Sequence, residues 1–289
     1  MSDPVEQLLA ILDLEKLEED LYRGVSPDNG WQRVFGGQVI AQALAAAIRT
    51  VPSERACHSL HAYFMRPGDP AIPIVYAVDR IRDGGSFTTR RVVAMQHGLA
   101  IFSLSASFQK HEQGFEHQLA MPDVPRPDEL PHGKALEETI LKNAPPAVQR
   151  YWQRPRAIEF RPVGLDHYLS NDKLEPFQHI WVRCRGDVGE DPVLNTVILA
   201  YLSDMTLLDT ALFAHGLSVF DERVQAASLD HAMWFHQPAR VSDWMLYTQD
   251  SPSSSGGRGL TRGSLYGLDG TLIASVAQEG LIRPKRQAS

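Results

Sequence analysis

Apolar and polar positions follow two rhythms along this chain, and both rhythms occur twice. The most continuous apolar stretch is Leu194 to Gly216, LNTVILAYLSDMTLLDTALFAHG. Val197, Tyr201, Asp204 and Leu208 recur there at three- and four-residue steps, while Leu199, Leu202 and Leu207 cover the other directions. The spacing predicts one helix buried nearly all round, with Asp204 in its middle. An ionised carboxylate there is costly unless paired or hydrogen-bonded, so Asp204 needs a structural partner or a task.

Taken in order, Val5 to Leu21 carries apolar and acidic residues at helical spacing and predicts an amphipathic surface helix. Gln38 to Thr50, QVIAQALAAAIRT, predicts a second helix opened by Gly36 and Gly37, with alanines small enough to let a sheet approach. Strand-like alternation follows at Ala56 to Met65, Ile72 to Ile81, Ser86 to Gln96 and Ala100 to Gln109, with Asp83-Gly84 and His97-Gly98 as turn signals. Residues 110–157 change character. Seven prolines between Pro122 and Pro155 mark a connector with one helix near Ala135 to Lys142.

The second half repeats the pattern: a strand at Gln178 to Arg185, the Leu194 helix, then strands at Val224 to His236, Asp243 to Gln249, Gly259 to Tyr266 and Thr271 to Ile282. SLHAYFMRP at Ser59 to Pro67 resembles SLDHAMWFHQP at Ser228 to Pro238, and Asp269-Gly270 takes the place of His97-Gly98. A period near half the chain predicts a duplicated α+β unit: repeats at 1–110 and 158–289 joined by 111–157. Between Trp31 and Ser53 there is no Asp or Glu. The first helix therefore has no counterpart of Asp204, and one site per chain is expected.

Composition narrows the function classes. With 43% hydrophobic residues the chain can bury a proper core. A formal net charge of -7 argues against nucleic acid and anionic membrane partners. The longest apolar runs are interrupted and predict no membrane segment, and the acidic N-terminus does not read as a secretory signal. Cys57 and Cys184 allow one disulfide at most, so the expected compartment is the cytoplasm. Arg80, Arg82, Arg90 and Arg91, or Arg258 and Arg262, could serve an anionic ligand, but each taken singly reads as part of a solvated strand face.

Gln278 is the candidate that strand parity isolates. Leu272, Ala274, Val276, Gly280 and Ile282 share its face of the last strand, and it alone among them is polar, so it should point inward. Ser228 reads by itself as a strand-edge hydroxyl. His231 and His236 lack the spacing and third ligand of a metal site, and no metal or cofactor is expected. No GxSxG elbow or P-loop is present, and SSSGGRGLTRG at Ser253 to Gly263 reads as a wide hairpin connection.

These residues together carry a resemblance. GWQRVFGGQVIAQAL at 30–44, HSLHAYFMRPGDP at 58–70, RDGGSFTTRRV at 82–92, SLDHAMWFHQP at 228–238 and QEGLIR at 278–283 resemble the type II acyl-CoA thioesterases, the double hotdog enzymes. The resemblance implies two hotdogs, each a long helix wrapped by an antiparallel sheet. It implies hydrolysis of fatty acyl-CoA by an activated water, with catalytic residues at Asp204, Ser228 and Gln278, and a homo-oligomer, dimer or tetramer. Ser228 stands where the family usually has Thr, which keeps the hydroxyl and loses the methyl restraint. His58 lies in a matching motif and is expected to make a structural hydrogen bond. Two further readings stand beside hydrolysis: an enoyl-CoA hydratase-type lyase, although Asp-x-Asn-Pro-x-His is absent, and a non-catalytic acyl-CoA-binding protein.

Overall fold

The computed structural model describes residues 3–27 and 32–285. Its first half runs α1 (Pro4–Leu12), β1 (Glu15–Glu18), β2 (Leu21–Gly24), α2 (Gly36–Ile48), β3 (Arg55–Phe64), β4 (Ile74–Asp83), β5 (Phe87–Gln96) and β6 (Leu99–Lys110). A connecting stretch holds α3 (Gly133–Asn143) and α4 (Pro146–Trp152). The second half follows as β7 (Ile158–Pro162), α5 (Asp166–Leu169), β8 (Phe177–Cys184), α6 (Pro192–Ser203), a 3-10 turn at Leu207–Asp209 and α7 (Thr210–Phe213). It closes with β9 (Val224–Ser228), β10 (Asp230–Phe235), β11 (Met245–Ser255), β12 (Arg258–Gly267) and β13 (Leu272–Pro284).

One antiparallel sheet joins the halves in the order β1-β2-β4-β5-β6-β3-β10-β13-β12-β11-β8-β7, with β9 also paired to β13. The seam is β3 against β10, where Leu60 faces Met233 and His61 faces Ala232. On either side of the seam the strand order mirrors itself, and α2 and α6 pack against each other inside the curve. This is the double hotdog architecture. Ala41, Ala43, Ala46 and Ala47 of α2 are fully buried, as are Ile198 and Ala200 of α6. Small alanine side chains are what permit a helix to be enclosed by sheet and helix together.

Several elements differ from the sequence expectation. The first helix ends at Leu12 rather than Leu21, and the chain turns back as the β1-β2 hairpin through Asp20 at φ 59. All four β1 side chains are exposed. The ladder between β2 and β4 (Leu21 with Ala77, Arg23 with Val75) satisfies backbone groups that a polar helical turn would leave to water, so it overrides the helical spacing. β7 was not anticipated: it is a short edge strand ending at Pro162, which cannot donate to a further neighbour. The expected wide connection is a tight hairpin. Ser255 pairs with Arg258 across Gly256 and Gly257, whose φ values of 58° and 76° suit a two-residue turn.

The largest difference concerns the Leu194 helix. Asp191 caps its start by accepting from the Val193 N–H, with Pro192 at the first position. α6 then stops at Ser203, Thr206 takes a left-handed φ of 64°, and the chain resumes as the 3-10 turn and α7. By length and composition the run Pro192–Phe213 could cross a bilayer, yet 67% of its most apolar window is buried in the fold, as suits a core helix. Asp204 thus sits at the end of a helix and not in the middle of one.

Candidate active site

The break after Ser203 is held by hydrogen bonds to the sheet. Tyr247 donates its hydroxyl to the Ser203 carbonyl at 2.6 Å, which satisfies a carbonyl that the helix end leaves open. Gln178 Nε2 donates to the Thr206 carbonyl at 3.1 Å and to Gln249 Oε1 at 2.6 Å, and Gln249 Nε2 donates to Thr206 Oγ1 at 2.9 Å. These bonds from β8 and β11 offset the strain of a β-branched residue in the left-handed region. Their effect is to aim Asp204, the C-cap residue of α6.

The carboxyl is aimed at the start of α2. Phe35, the N-cap residue there, has no side chain able to cap, so the first N–H groups of α2 lack a local acceptor. Gly36 and Gly37 keep that end bare. A Cβ on Gly36 would lie 2.6 Å from Asp204 Oδ2, and one on Gly37 would lie 2.3 Å from the Tyr201 carbonyl. Glycine at both positions is what lets the second repeat's carboxylate approach the first repeat's helix terminus, where an anion is stabilised.

Parity places Gln278 as expected: Ala274, Val276, Gln278 and Gly280 face inward along β13, and Gln278 is 1% exposed. Ser228 ends β9 opposite Gly280, and Gln278 Nε2 donates to Ser228 Oγ at 2.9 Å. Both side chains also interact with the Asp204 carboxyl. Asp204, Ser228 and Gln278 are therefore brought together. Burial pushes the Asp204 carboxyl up to about 7, while the Gly37 N–H, Gln278 and Ser228 pull it down. Asp204 and Ser228 keep partial exposure, but Asp204 Oδ1 is enclosed and has no hydrogen-bond partner. The arrangement can take up a proton near neutral pH and can present donors to an oxyanion.

Sequence reasoning grouped His231 with His236 as a weak metal pair, and the structure separates them. His236 bonds Ser275 Oγ from the outward face at 2.9 Å, whereas His231 is fully buried. His231 Nδ1 stands 2.6 Å from Gln278 Oε1 and its Nε2 stands 2.9 Å from Ser203 Oγ. Burial pushes this imidazole down to about 4. Among the described residues no three His, Cys, Asp or Glu side chains converge as a metal site. What the sequence could have offered is parity: Met233 shares the buried face with His231, so His231 also had to point inward.

The equivalent place in the first repeat is filled. Counting eight residues on from the matching turn glycines, Gly98 and Gly270, Ala106 holds the position of Gln278. Ala106 faces Arg90 on β5, as Gln278 faces Thr261 on β12. Arg90 is no solvated-face residue: it is 1% exposed, donates to Thr50 Oγ1 at 2.8 Å and to the Thr50 carbonyl at 3.0 Å, and pairs with Asp83 at 2.7 Å. Four other arginines of the two groups are at the surface in ion pairs: Arg80 with Asp20, Arg91 with Asp79, Arg258 with Glu279 and Arg262 with Asp250. His58 makes a structural contact, its Nε2 standing 2.8 Å from Ser107 Oγ.

Known proteins share this organisation. Residues 26–109 match the family model described as the acyl-CoA thioesterase N-terminal domain, and residues 152–281 match the acyl-CoA thioesterase model. Acyl-CoA thioesterase 2 of Haemophilus influenzae is 38% identical over 98% of this chain and 99% of its own length. Among solved structures, the acyl-CoA thioesterase II TesB2 of Mycobacterium marinum superposes with a TM-score of 0.80 at 44% identity, over 96% of this chain and 98% of that one. A hot dog fold protein of unknown function from Alicyclobacillus acidocaldarius shares the fold at a TM-score of 0.77 and 20% identity, over 96% and 98% of the two chains. On the full-length identity and both family matches, this chain belongs to the acyl-CoA thioesterase family.

Proposed function

We propose that this chain hydrolyses the thioester of fatty acyl-CoA to a free fatty acid and coenzyme A, with Asp204, Ser228 and Gln278 as its catalytic residues. The observation that carries the reading is the Asp204 carboxyl, with a pKa pushed up to about 7, set between the Gln278–Ser228 pair and the N-terminus of α2. A base is most effective when its pKa lies near the working pH.

In the proposed reaction Asp204 removes a proton from a water held by Ser228 and Gln278, and the water oxygen bonds to the thioester carbonyl carbon. The charge that develops on the carbonyl oxygen is stabilised by N–H groups at the α2 N-terminus. Collapse of the tetrahedral species breaks the C–S bond, and the proton held by Asp204 passes to the sulfur. No acyl-enzyme is invoked. Ser228 Oγ accepts a hydrogen bond from the Gln278 amide, and the buried imidazole bonds that amide rather than the hydroxyl, so His231 does not activate Ser228 as a nucleophile, and the base beside it, Asp204, is assigned to the water.

The test supplies acyl-CoA and follows thiol release, enoyl absorbance and binding in parallel. Thiol release that Asp204→Asn abolishes is the expected result. Enoyl formation selects a lyase, binding without turnover selects a non-catalytic acyl-CoA-binding protein, and undiminished hydrolysis by Asp204→Asn ends the proposed mechanism.

The same reading extends to organisation and setting. We assign the repeats to 1–110 and 158–289, with 111–157 as the connector. Cys57 and Cys184 are both buried as free thiols, which supports a cytoplasmic enzyme. Exposed Tyr63, Met65 and Trp234 near the sheet seam support assembly into a homo-oligomer, a dimer or tetramer, through that outer face.

A further inference from the structure

We infer that His231 is a positioning residue: it fixes which way the Gln278 amide faces by presenting N–H from Nδ1 to Gln278 Oε1, while its Nε2 shares the Ser203 hydroxyl with the Ala200 carbonyl, each 2.9 Å from Ser203 Oγ. The inference rests on the catalytic assignment of Gln278 made above.

The argument is one of donors and acceptors. Gln278 has an oxygen at one end and two N–H groups at the other, and the site offers it two neighbours: His231 Nδ1 at 2.6 Å and Ser228 Oγ at 2.9 Å. A neutral imidazole carries one N–H, so each tautomer demands one amide orientation. If the hydrogen is on Nδ1, Gln278 Oε1 must face His231, and its NH2 faces Ser228 and Asp204. Were it on Nε2, the imidazole would donate to Ser203 Oγ, Nδ1 would require the NH2 of Gln278, and the amide oxygen would face the Asp204 carboxylate. That second arrangement puts two acceptors together beside an enclosed oxygen that already lacks a donor.

Burial keeps this switch from being reset by solvent. His231 is 0% and Gln278 1% exposed, so neither end can find a water instead. Burial also holds the imidazole in its neutral form, with a pKa pushed down to about 4, which leaves the tautomer as its one variable. Ser203 completes the chain of contacts. It precedes Asp204 in the helix end, and Tyr247 holds its carbonyl at 2.6 Å. One imidazole therefore bridges the strand that carries the catalytic amide and the helix end that carries the catalytic carboxyl, without touching the reacting atoms.

The test uses the full-length enzyme with decanoyl-CoA. His231→Leu keeps the volume and removes the donor; kcat should fall about tenfold to a hundredfold with KM within about twofold, the size expected when a reacting group is misplaced. His231→Asn, which can offer an N–H near the position of Nδ1, should recover kcat to within about threefold of the wild type. In a Gln278→Ala background the His231→Leu change should cost less than about twofold, because there is no amide left to orient. Two outcomes overturn the inference: effects of His231→Leu and Gln278→Ala that multiply, or a folded His231→Asn no better than His231→Leu. If His231→Leu does not fold, nitrogen-15 NMR of labelled histidine in the wild-type protein decides. Hydrogen on Nδ1 supports the inference, and hydrogen on Nε2 overturns it. Failure here is distinct from failure of the site itself, which active Asp204→Asn would reveal whatever His231 does.

Discussion

Gly36 and Asp204 belong to different repeats, yet a Cβ on Gly36 would stand 2.6 Å from Asp204 Oδ2 and 3.0 Å from Phe64 Cζ. The candidate site is therefore shared. The first repeat supplies a bare helix terminus, and the second supplies the carboxyl, the hydroxyl and the amide. Each repeat needs the other, because the positive end of α2 offsets part of what burial costs the Asp204 charge.

Gly36→Ala follows from that distance. A carboxyl oxygen cannot remain 2.6 Å from a methyl carbon, so Asp204 must withdraw from the helix terminus. A displacement of this size should lower kcat about a hundredfold. Because Asp204 would lose the helix terminus and the methyl would press on Phe64, stability should also fall, by roughly 1 to 2 kcal/mol. Steady-state kinetics together with a thermal melt check this, and an alanine variant of full activity would show that the approach is not needed.

Asp204→Asn should trade activity for stability, and the sign can be worked out. The folded pKa of about 7 lies above the ordinary 3.8, so between these values the folded state binds a proton that the unfolded state does not. Wild-type stability contributed by this group thus falls as pH rises from about 4 to about 7, and above that the full cost of the buried charge is felt. At pH 8 Asp204→Asn should be more stable than wild type by about 2 to 4 kcal/mol, and the gap should close toward pH 4. Urea titrations at both pH values measure it. Wild-type kcat/KM should rise with pH through about 7, as a base must be ionised.

Ser228 holds one end of the Gln278 amide at 2.9 Å. Removing that hydroxyl in Ser228→Ala should lower kcat about three- to tenfold, one hydrogen bond's worth. Ser228→Thr keeps the bond and adds a methyl that restrains the rotamer, so kcat should hold or rise slightly. Comparing the three enzymes on one substrate series tests whether the hydroxyl or the methyl matters; equal rates for Ser228→Ala and wild type would remove Ser228 from the mechanism.

Arg90 fills the first-repeat place that matches the catalytic site, and it bonds Thr50 and Asp83 rather than a ligand. Arg90→Met should lower unfolding free energy by about 2 to 3 kcal/mol, since the Thr50 carbonyl loses a buried donor. kcat should be unchanged at temperatures where the variant is folded. A loss of activity without a shift in the urea midpoint would give Arg90 a role this structure does not assign.

Much of this architecture is legible along the chain. The alanine-rich helix, the alternating strands and the recurrence of turn signals at His97-Gly98 and Asp269-Gly270 reveal two α+β units, because helix and strand periods are local properties. Gln278 could be located by parity alone, since strand side chains alternate strictly. The acidic run from Glu15 to Asp20 fails to announce itself for a reason of the opposite kind: its spacing suits a helix, and only β2 beside it, itself paired to the β4 edge, makes a strand preferable.

The composition, the repeat, and the chemical types at Asp204, Ser228 and Gln278 belong to the sequence alone. Tertiary structure decided what surrounds them. Thr206 in a left-handed conformation, held by Gln178 and Gln249 from two separate strands, turns a continuous apolar run into a helix that ends beside Asp204. Gly36 and Gly37 read along the chain as helix openers, and their second use appears when α2 meets α6. His231 shows its partners when β10 lies between β3 and β13, within reach of Gln278 and Ser203. Periodicity records which way a side chain points; it carries no record of what a residue from the other repeat brings to meet it.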